Sequence, residues 1–450
     1  LGFYKTGDFV LSPGFNFLNN KASYFGHSEK DNKSYFSFGA SGLVIGGADR
    51  TRNNKKRSSA FALAINRMAS FGGNLAYSGI NNQSSYSQKF LEEISKNNDR
   101  SGNSVAQNYP FGTSLAFNTY WIDTVAGGTE GNFLFKTRAP IATGLIQRNV
   151  INTKGGLTEL ALAGAGNFND KLYAGFTLAF PLLRYERESS FSEGDATENE
   201  NNNFDYATIN ESLTTKGGGV NLKLGVIYKP VEYVRLGLAI HTPTFFQLTD
   251  KYSTEVVTNT EGYKGILNQN SDDMVGEGQF KYWHFTPYRI MVSGSYVLRE
   301  VEDVRKQKGF ITADIEFVNY KASSFTTDPD YDDQQSKDYL KSLNNTIDKA
   351  YKPAFNFKIG GELKFTTVMV RLGGAYYGNP YKNIAGEKGH RFQLTGGLGY
   401  RNKGIFVDLG YAHTMGKDVH FAYRLENGPF RAANIKNTGG NAVLTLGFKI

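Results

Sequence analysis

The residue types that do most protein chemistry are sparse or badly spaced in this chain. Asp328, Asp330 and Asp332 in DPDYDD stand two apart, as the first carboxylates of a calcium loop do. Asp333 then holds the place of the turn glycine and Tyr339 that of the bidentate glutamate, so a solvated acidic loop is the better reading. The six histidines, His27, His241, His284, His390, His413 and His420, show no ligand spacing such as HExxH, and no GxSxG elbow is present. Cysteine is absent, which removes disulfides and thiolate metal sites. Glycine clusters such as KGGGVN fall inside alternating segments rather than ahead of a helix, so they do not read as phosphate loops. No catalytic residue, metal site or cofactor is expected, and the chain does not read as an enzyme.

Two other groups could handle a ligand without making or breaking bonds. Phe71, Gly72 and Gly73 interrupt an otherwise alternating segment. Paired glycines weaken strand pairing and permit a kink; an ordinary bend is the competing reading. The longest non-alternating stretch, residues 80–145, contains SYSQKFLEEISKNN, a helix with Phe90, Leu91 and Ile94 on one face. FGTSLAFNTYWIDT follows, with Leu115, Phe117, Tyr120 and Trp121. Such a loop could catch a greasy ligand, dock a partner chain, or pack on itself as a cap. A second loop helix, SKDYLKSLNNTIDKAY, puts Leu340, Leu343 and Ile347 on one face.

The elements that must carry these residues alternate with period two. In AFNFKIGGELKF, Phe355, Phe357, Ile359, Leu363 and Phe365 share one parity, and Asn356, Lys358, Glu362 and Lys364 the other. About fourteen such segments lie near 8–18, 35–47, 58–79, 147–167, 171–190, 204–229, 233–253, 278–299, 309–325, 353–366, 367–379, 390–402, 404–425 and 440–450. The polar parity mixes charges with small residues such as Gly225, Gly237, Ala239, Ser293 and Gly373. That suits the wet interior of a closed cylinder. The apolar parity stays uncharged for the length a tilted strand needs to cross a bilayer, with Tyr228, Tyr288, Tyr400 and Tyr411 near its ends. Connections alternate short (168–171, 229–232, 365–367, 401–404) and long (near 80–145, 192–203, 254–277, 326–352, 380–389, 426–439), as periplasmic turns and outer loops do.

Composition is consistent with this. The chain has 450 residues, a net charge of +8 and a mean hydropathy of −0.42. No apolar run approaches the roughly 18 residues of a membrane helix. The one dense basic patch, RTRNNKKR at 50–57, reads as a solvated turn, so nucleic acid is not an expected partner. The expected fold is all-β: one domain, 1–450, forming a transmembrane antiparallel barrel of about 14 strands in a bacterial outer membrane. The last strand, NAVLTLGFKI, pairs with the first to remove the sheet edges. Lys223, Arg235, Arg289, Lys358, Arg371, Arg391, Glu159, Asp314, Glu316, Glu362 and Asp408 carry the inner parity and are expected to pair across the lumen.

Several stretches resemble the FadL-like family of outer-membrane transport proteins, in its Bacteroidota branch. They are LGFYKTGDFVLSPGFNF, AFALAINRMASFGGNLAYSG, GLTELALAGAGNFNDKLYAGFTLAFPLLRYERESSFSE and GLAIHTPTFFQLTDKYS. The similarity runs over essentially the whole chain. It implies passive uptake of hydrophobic molecules such as long-chain fatty acids, released sideways into the membrane. In the family a kink in the third strand opens that exit, which makes Phe71, Gly72 and Gly73 the candidate lateral gate. Leu115, Phe117, Tyr120 and Trp121 are the candidate ligand or partner contact loop. The family's N-terminal hatch ends in Asn-Pro-Ala just before the equivalent of LGFY, so no hatch residue is expected in this sequence. The implied partners are membrane lipid and lipopolysaccharide and a hydrophobic small molecule. The rival reading is an accessory barrel in an outer-membrane secretion or assembly complex, whose other subunits would then be partners.

Overall fold

A computed structural model describes residues 1, 4, 6–48, 56–197, 199–298, 308–382 and 389–449, excluding the side chains of 56, 57 and 331. The basic patch at 50–57 and the final Ile450 lie outside this description, apart from the backbone of 56 and 57. Fourteen barrel strands follow in chain order: β1 (Asp8–Leu11 and Pro13–Tyr24), β2 (His27–Phe38 and Ser41–Ala48), β3 (Lys56–Ser70 and Gly73–Asn81), β4 (Leu145–Phe168) and β5 (Leu172–Asp195). Next are β6 (Tyr206–Val231), β7 (Val234–His241 and Phe245–Asn259), β8 (Gly278–Phe285 and Arg289–Leu298), β9 (Gly309–Val318 and Ser324–Thr327) and β10 (Ala354–Phe365). The last four are β11 (Val368–Tyr377), β12 (Arg391–Asn402), β13 (Ile405–His420) and β14 (Ala433–Lys449). Neighbours pair antiparallel, and β14 returns to β1 through pairs such as Phe9↔Phe448 and Phe15↔Ala442. The cylinder is closed.

Which face each residue takes follows from the alternation. Phe176, Leu178, Phe180 and Leu182 on β5, and Leu222, Leu224, Val226 and Tyr228 on β6, are exposed on the outside. Leu372 on β11 is 71% exposed. A continuous apolar belt of this kind is stable only against lipid. No helix among the described residues is long and apolar enough to cross a membrane; the strands do the crossing. The chain is an outer-membrane barrel.

Inside, among the described residues, eight of the eleven charges expected there form ion pairs. Lys223 Nζ lies 2.5 Å from Glu159, Lys358 Nζ 3.0 Å from Glu316, and Arg289 3.6 Å from the same Glu316. Arg371 bridges Glu362 at 2.7 Å and Asp408 at 2.6 Å. Facing lipid at mid-depth, each cation would cost about 2–4 kcal/mol, which is why one parity collects them all.

The short turns match expectation: residues 169–171, 232–233, 366–367 and 403–404, with positive φ at Asn169, Asp170, Thr366, Lys403 and Gly404. The first hairpin differs. The sequence predicts a connection between 18 and 35, whereas β1 and β2 run on to a two-residue turn at Phe25–Gly26. Above the belt the outer face of the hairpin is polar and its inner face mixes the buried Ala22 and Tyr24 with Asn20 and Glu29, so NNKASYFGHSEKDNKS loses its apolar alternation while its ladder continues. Strand β14 likewise begins at Ala433 rather than 440.

The orientation has a direct check. The chain is free of cysteine, so Ser342→Cys in the long 328–353 connection and Asn402→Cys at a short turn can each be labelled singly. A membrane-impermeant maleimide is expected to label only the first on intact cells; labelling of Asn402→Cys alone would invert the topology.

Candidate functional site

The interruption at FGG sits in a wall that changes partners there. Below it, β3 pairs with β2 from Ser58↔Ala48 to Ile65↔Ser41, and with β4 from Ser58↔Asn167 to Ser70↔Gly156. Above it, Gly73–Asn81 pairs with β4 alone, and His27–Phe38 of β2 pairs with β1 alone. Among the described residues no ladder joins β2 to β3 over this upper half. The chain leaves the ladder at Phe71 and Gly72 and re-enters at Gly73.

Local chemistry builds the kink. A register shift between Arg67 and Ala69 makes Met68 a bulge. The Arg67 guanidinium lies across β4, donating to the Gly155 carbonyl at 2.7 Å and to Thr158 Oγ1 at 2.9 Å. Phe71 N–H donates to the same carbonyl at 3.1 Å. Gly155 has φ +103, and a Cβ there would lie 2.0 Å from the Arg184 carbonyl oxygen, so no other residue fits. The Phe71 ring meets Tyr185 edge-on at 5.6 Å.

Side chains replace the missing ladder. Asn20 Nδ2 donates to the Asn74 carbonyl at 2.6 Å, and Lys33 Nζ to the Thr153 carbonyl at 2.8 Å and the Gly73 carbonyl at 3.4 Å. Ser78 hydrogen-bonds Glu29. The Tyr35 ring covers Gly72 so closely that a Cβ there would lie 2.8 Å from its Cε1. A sheet edge that would otherwise be bare in lipid is thus capped by rotatable groups from β1 and β2.

The long loop fills the outer end of the barrel. Helices α1 (Ser87–Lys96), α2 (Gly102–Gln107) and α3 (Thr113–Asn118) pack onto the inner faces of β4 to β7, around Tyr86, Phe90, Trp121, Phe191, Ile209 and Tyr423. Leu115 and Trp121 are fully buried, while Phe117 and Tyr120 are partly exposed. The four contact-loop candidates therefore divide, and they lie in a different part of the chain from Phe71, Gly72 and Gly73.

A buried polar network ties this plug to the seam. The Glu193 carboxylate accepts from Ser85, from Tyr86 N–H at 3.1 Å, Trp121 Nε1 at 2.9 Å and Gln147 Nε2 at 3.0 Å. Gln147 Oε1 in turn accepts from Tyr24 on β1 at 2.8 Å and from Asn81 on β3 at 3.0 Å. Glu193 lies above the apolar belt, and burial raises its pKa, partly offset by its four donors. Sequence reasoning missed Tyr35, Lys33, Arg67, Gly155 and Glu193. The signals available were a second glycine pair, Gly155–Gly156, and the continuation of the inner parity from Phe191 to Glu193.

The described residues leave hollows in the lumen. One of about 690 Å³ lies beside helix α4 (Gln334–Ala350), lined by Arg289, Tyr320, Phe325, Ile347, Tyr377 and Arg391. Another, about 370 Å³, is lined by small residues such as Ala163, Gly225 and Ala239, with Lys223 and His241. The acidic run forms caps rather than a cation loop: Asp328 accepts from Gln247 at 2.9 Å and Trp283 at 3.0 Å, and Asp333 caps α4.

A closed fourteen-stranded outer-membrane barrel, with one interrupted seam and an inward-folded outer loop, defines the class. No family model and no curated protein matches the sequence. Among solved structures, a Pseudomonas aeruginosa FadL homologue superposes with a TM-score of 0.54 at 10% identity, covering 99% of this chain and 91% of that one. The P. putida toluene transporter TodX gives 0.51 at 11% identity, covering 99% and 91%. The fold is FadL-like.

Proposed function

We propose that this barrel is a passive channel for hydrophobic small molecules, with long-chain fatty acids as a candidate cargo, and that cargo leaves sideways between β2 and β3 at Phe71, Gly72 and Gly73. The observation that carries this reading is the seam: a stretch of wall held by Asn20, Lys33, Tyr35 and Ser78 side chains instead of a ladder. Breaking a few rotatable contacts opens such a seam, whereas opening a ladder breaks a row of backbone hydrogen bonds. A sideways exit also transfers apolar surface straight into lipid, worth about 25 cal/mol per Å², and spares the cargo the aqueous periplasm. Solved relatives of this fold include a protein described as a toluene transporter, which supports the cargo class. The partly exposed Phe117 and Tyr120 are proposed to meet cargo or a partner first, on the support of the buried Leu115 and Trp121.

The test is the double variant Gly72→Val, Gly73→Val. Each new Cβ meets a movable side chain, Tyr35 or Thr153, so assembly is expected to persist. Valine favours the extended, paired strand and should seal the seam. Uptake of a labelled long-chain fatty acid is expected to fall about tenfold, equivalent to about 1.4 kcal/mol of barrier. Wild-type uptake by a folded double variant would refute the exit at this site. Normal uptake by a deletion strain, with failed protein secretion, would favour the accessory-subunit reading.

A further inference from the structure

The register brings four lysines together that the sequence keeps far apart. Lys30 on β2 stands directly opposite Lys21 on β1, Lys21 opposite Lys436 on β14, and Lys436 opposite Lys417 on β13. These strands are consecutive around the closed barrel, so the four side chains form one row, about 14 Å wide at the usual strand spacing. All four are exposed and share the outward parity of the belt residues Phe17, Phe36 and Tyr411.

Like charges directly opposite on a sheet destabilise it, because their Cβ atoms stand only about 5 Å apart. Here the unfavourable pairing occurs three times in succession. Among the described residues no carboxylate pairs with any of the four lysines. The nearby Glu29 faces inward and is engaged by Ser78, and Asp31 and Asp418 carry the inner parity. Some outer charges elsewhere on the barrel do have a protein partner: Arg184 with Glu186 at 2.5 Å, and Lys251 with Glu277 at 2.8 Å. The row therefore lacks an anion that the protein does not supply.

Its height indicates where the anion comes from. Phe17 and Tyr411 stack at 5.9 Å across β14 at the upper edge of the belt. Lys21 lies four residues further out, about 13 Å along the strand and less in height once the strand tilt is counted. Between them runs a polar row, Asn32, Asn19 and Thr438. That is the level of outer-leaflet headgroups. We propose that Lys30, Lys21, Lys436 and Lys417 form a binding site for the phosphate groups of an outer-leaflet lipid headgroup. Lysine suits this role as a compact point charge on a flexible stem.

The experiment uses the full chain extracted in mild detergent. Three forms are compared: wild type, the Lys→Gln variant at 21, 30, 417 and 436, and the Lys→Arg variant at the same positions. Each is incorporated into nanodiscs containing a bisphosphorylated glycolipid or the same glycolipid dephosphorylated, and retained lipid is read by native mass spectrometry. Wild type and the arginine variant are expected to keep the phosphorylated lipid, and the glutamine variant at least about tenfold less, given the attraction of each basic residue to an anionic surface. The dephosphorylated lipid should distinguish none of the three. Equal retention by the glutamine variant, or equal retention of both lipids by wild type, overturns the proposal. Displacement of the lipid by a molar excess of inorganic phosphate would assign the row to free phosphate instead. Should the fourfold variant fail to assemble, Lys21→Gln with Lys436→Gln removes the centre of the row and is expected to lose most of the retention. Fatty-acid uptake is expected to be unchanged, which separates this site from the proposed exit.

Discussion

Replacing Gly155 by valine is expected to abolish the heat-resistant folded band that an assembled barrel shows on a gel. The native φ of +103 is closed to a β-branched residue, and the new Cβ would lie 2.0 Å from the Arg184 backbone oxygen. That oxygen belongs to the β5 strand, so relief requires β4 and β5 to part. Strain of about 1–3 kcal/mol for the backbone alone adds to lost ladder bonds and to the displaced Arg67 contact. Gly294→Ala is the control, since a Cβ there meets nothing within 4 Å, and it should assemble normally. Normal assembly of the Gly155 variant would mean that the left-handed turn opposite Phe71 is not needed for the kink.

The second large effect is expected at Glu193. Alanine there leaves Trp121 Nε1 and Tyr86 N–H without an acceptor in a buried site, while Gln147 Nε2 keeps the Ser84 carbonyl and Tyr423 Oη. Each orphaned donor costs about 1–3 kcal/mol, more than a surface loop can absorb. The plug should loosen, and cells should admit small hydrophilic solutes that wild type excludes, read as antibiotic sensitivity or as conductance in a planar bilayer. Glu193→Gln keeps an acceptor and should fall between the two. The pH dependence follows from the raised pKa. A carboxyl whose folded pKa lies above its unfolded value contributes stability that is complete below the unfolded pKa and is lost as pH rises through the folded one. The plug is therefore expected to be better protected from hydrogen exchange in mild acid than at neutral pH, and the glutamine variant should flatten that difference. Unchanged permeability in the alanine variant would show that the plug is held by its apolar core alone.

The barrel was legible wherever one face met lipid. Lys223, Lys358 and Arg371 could be placed inside because their strand neighbours at odd offsets are Leu, Phe and Val, and a charge among those has nowhere else to go. Above the belt that logic ends, since the outer face no longer needs apolar residues, and the Phe25–Gly26 hairpin went unseen for that reason. The kink was half legible. Gly72–Gly73 marked it, while its other half, Arg67 laid against Gly155, depends on which strand lies alongside. The hydrogen bond from Trp121 to Glu193 and the lysine row depend on register across strands distant in sequence, which alternation within a strand does not encode.

The luminal ion pairs have a consequence for what passes them. Lys223, Arg289, Lys358 and Arg371 are opposed by Glu159, Glu316, Glu362 and Asp408, so these eight charges cancel. The network behaves as a set of fixed local dipoles, with no Donnan potential of its own to concentrate cations or anions. An uncharged solute entering such a bore displaces water from groups that already satisfy one another, and it strips no counter-ion from the wall.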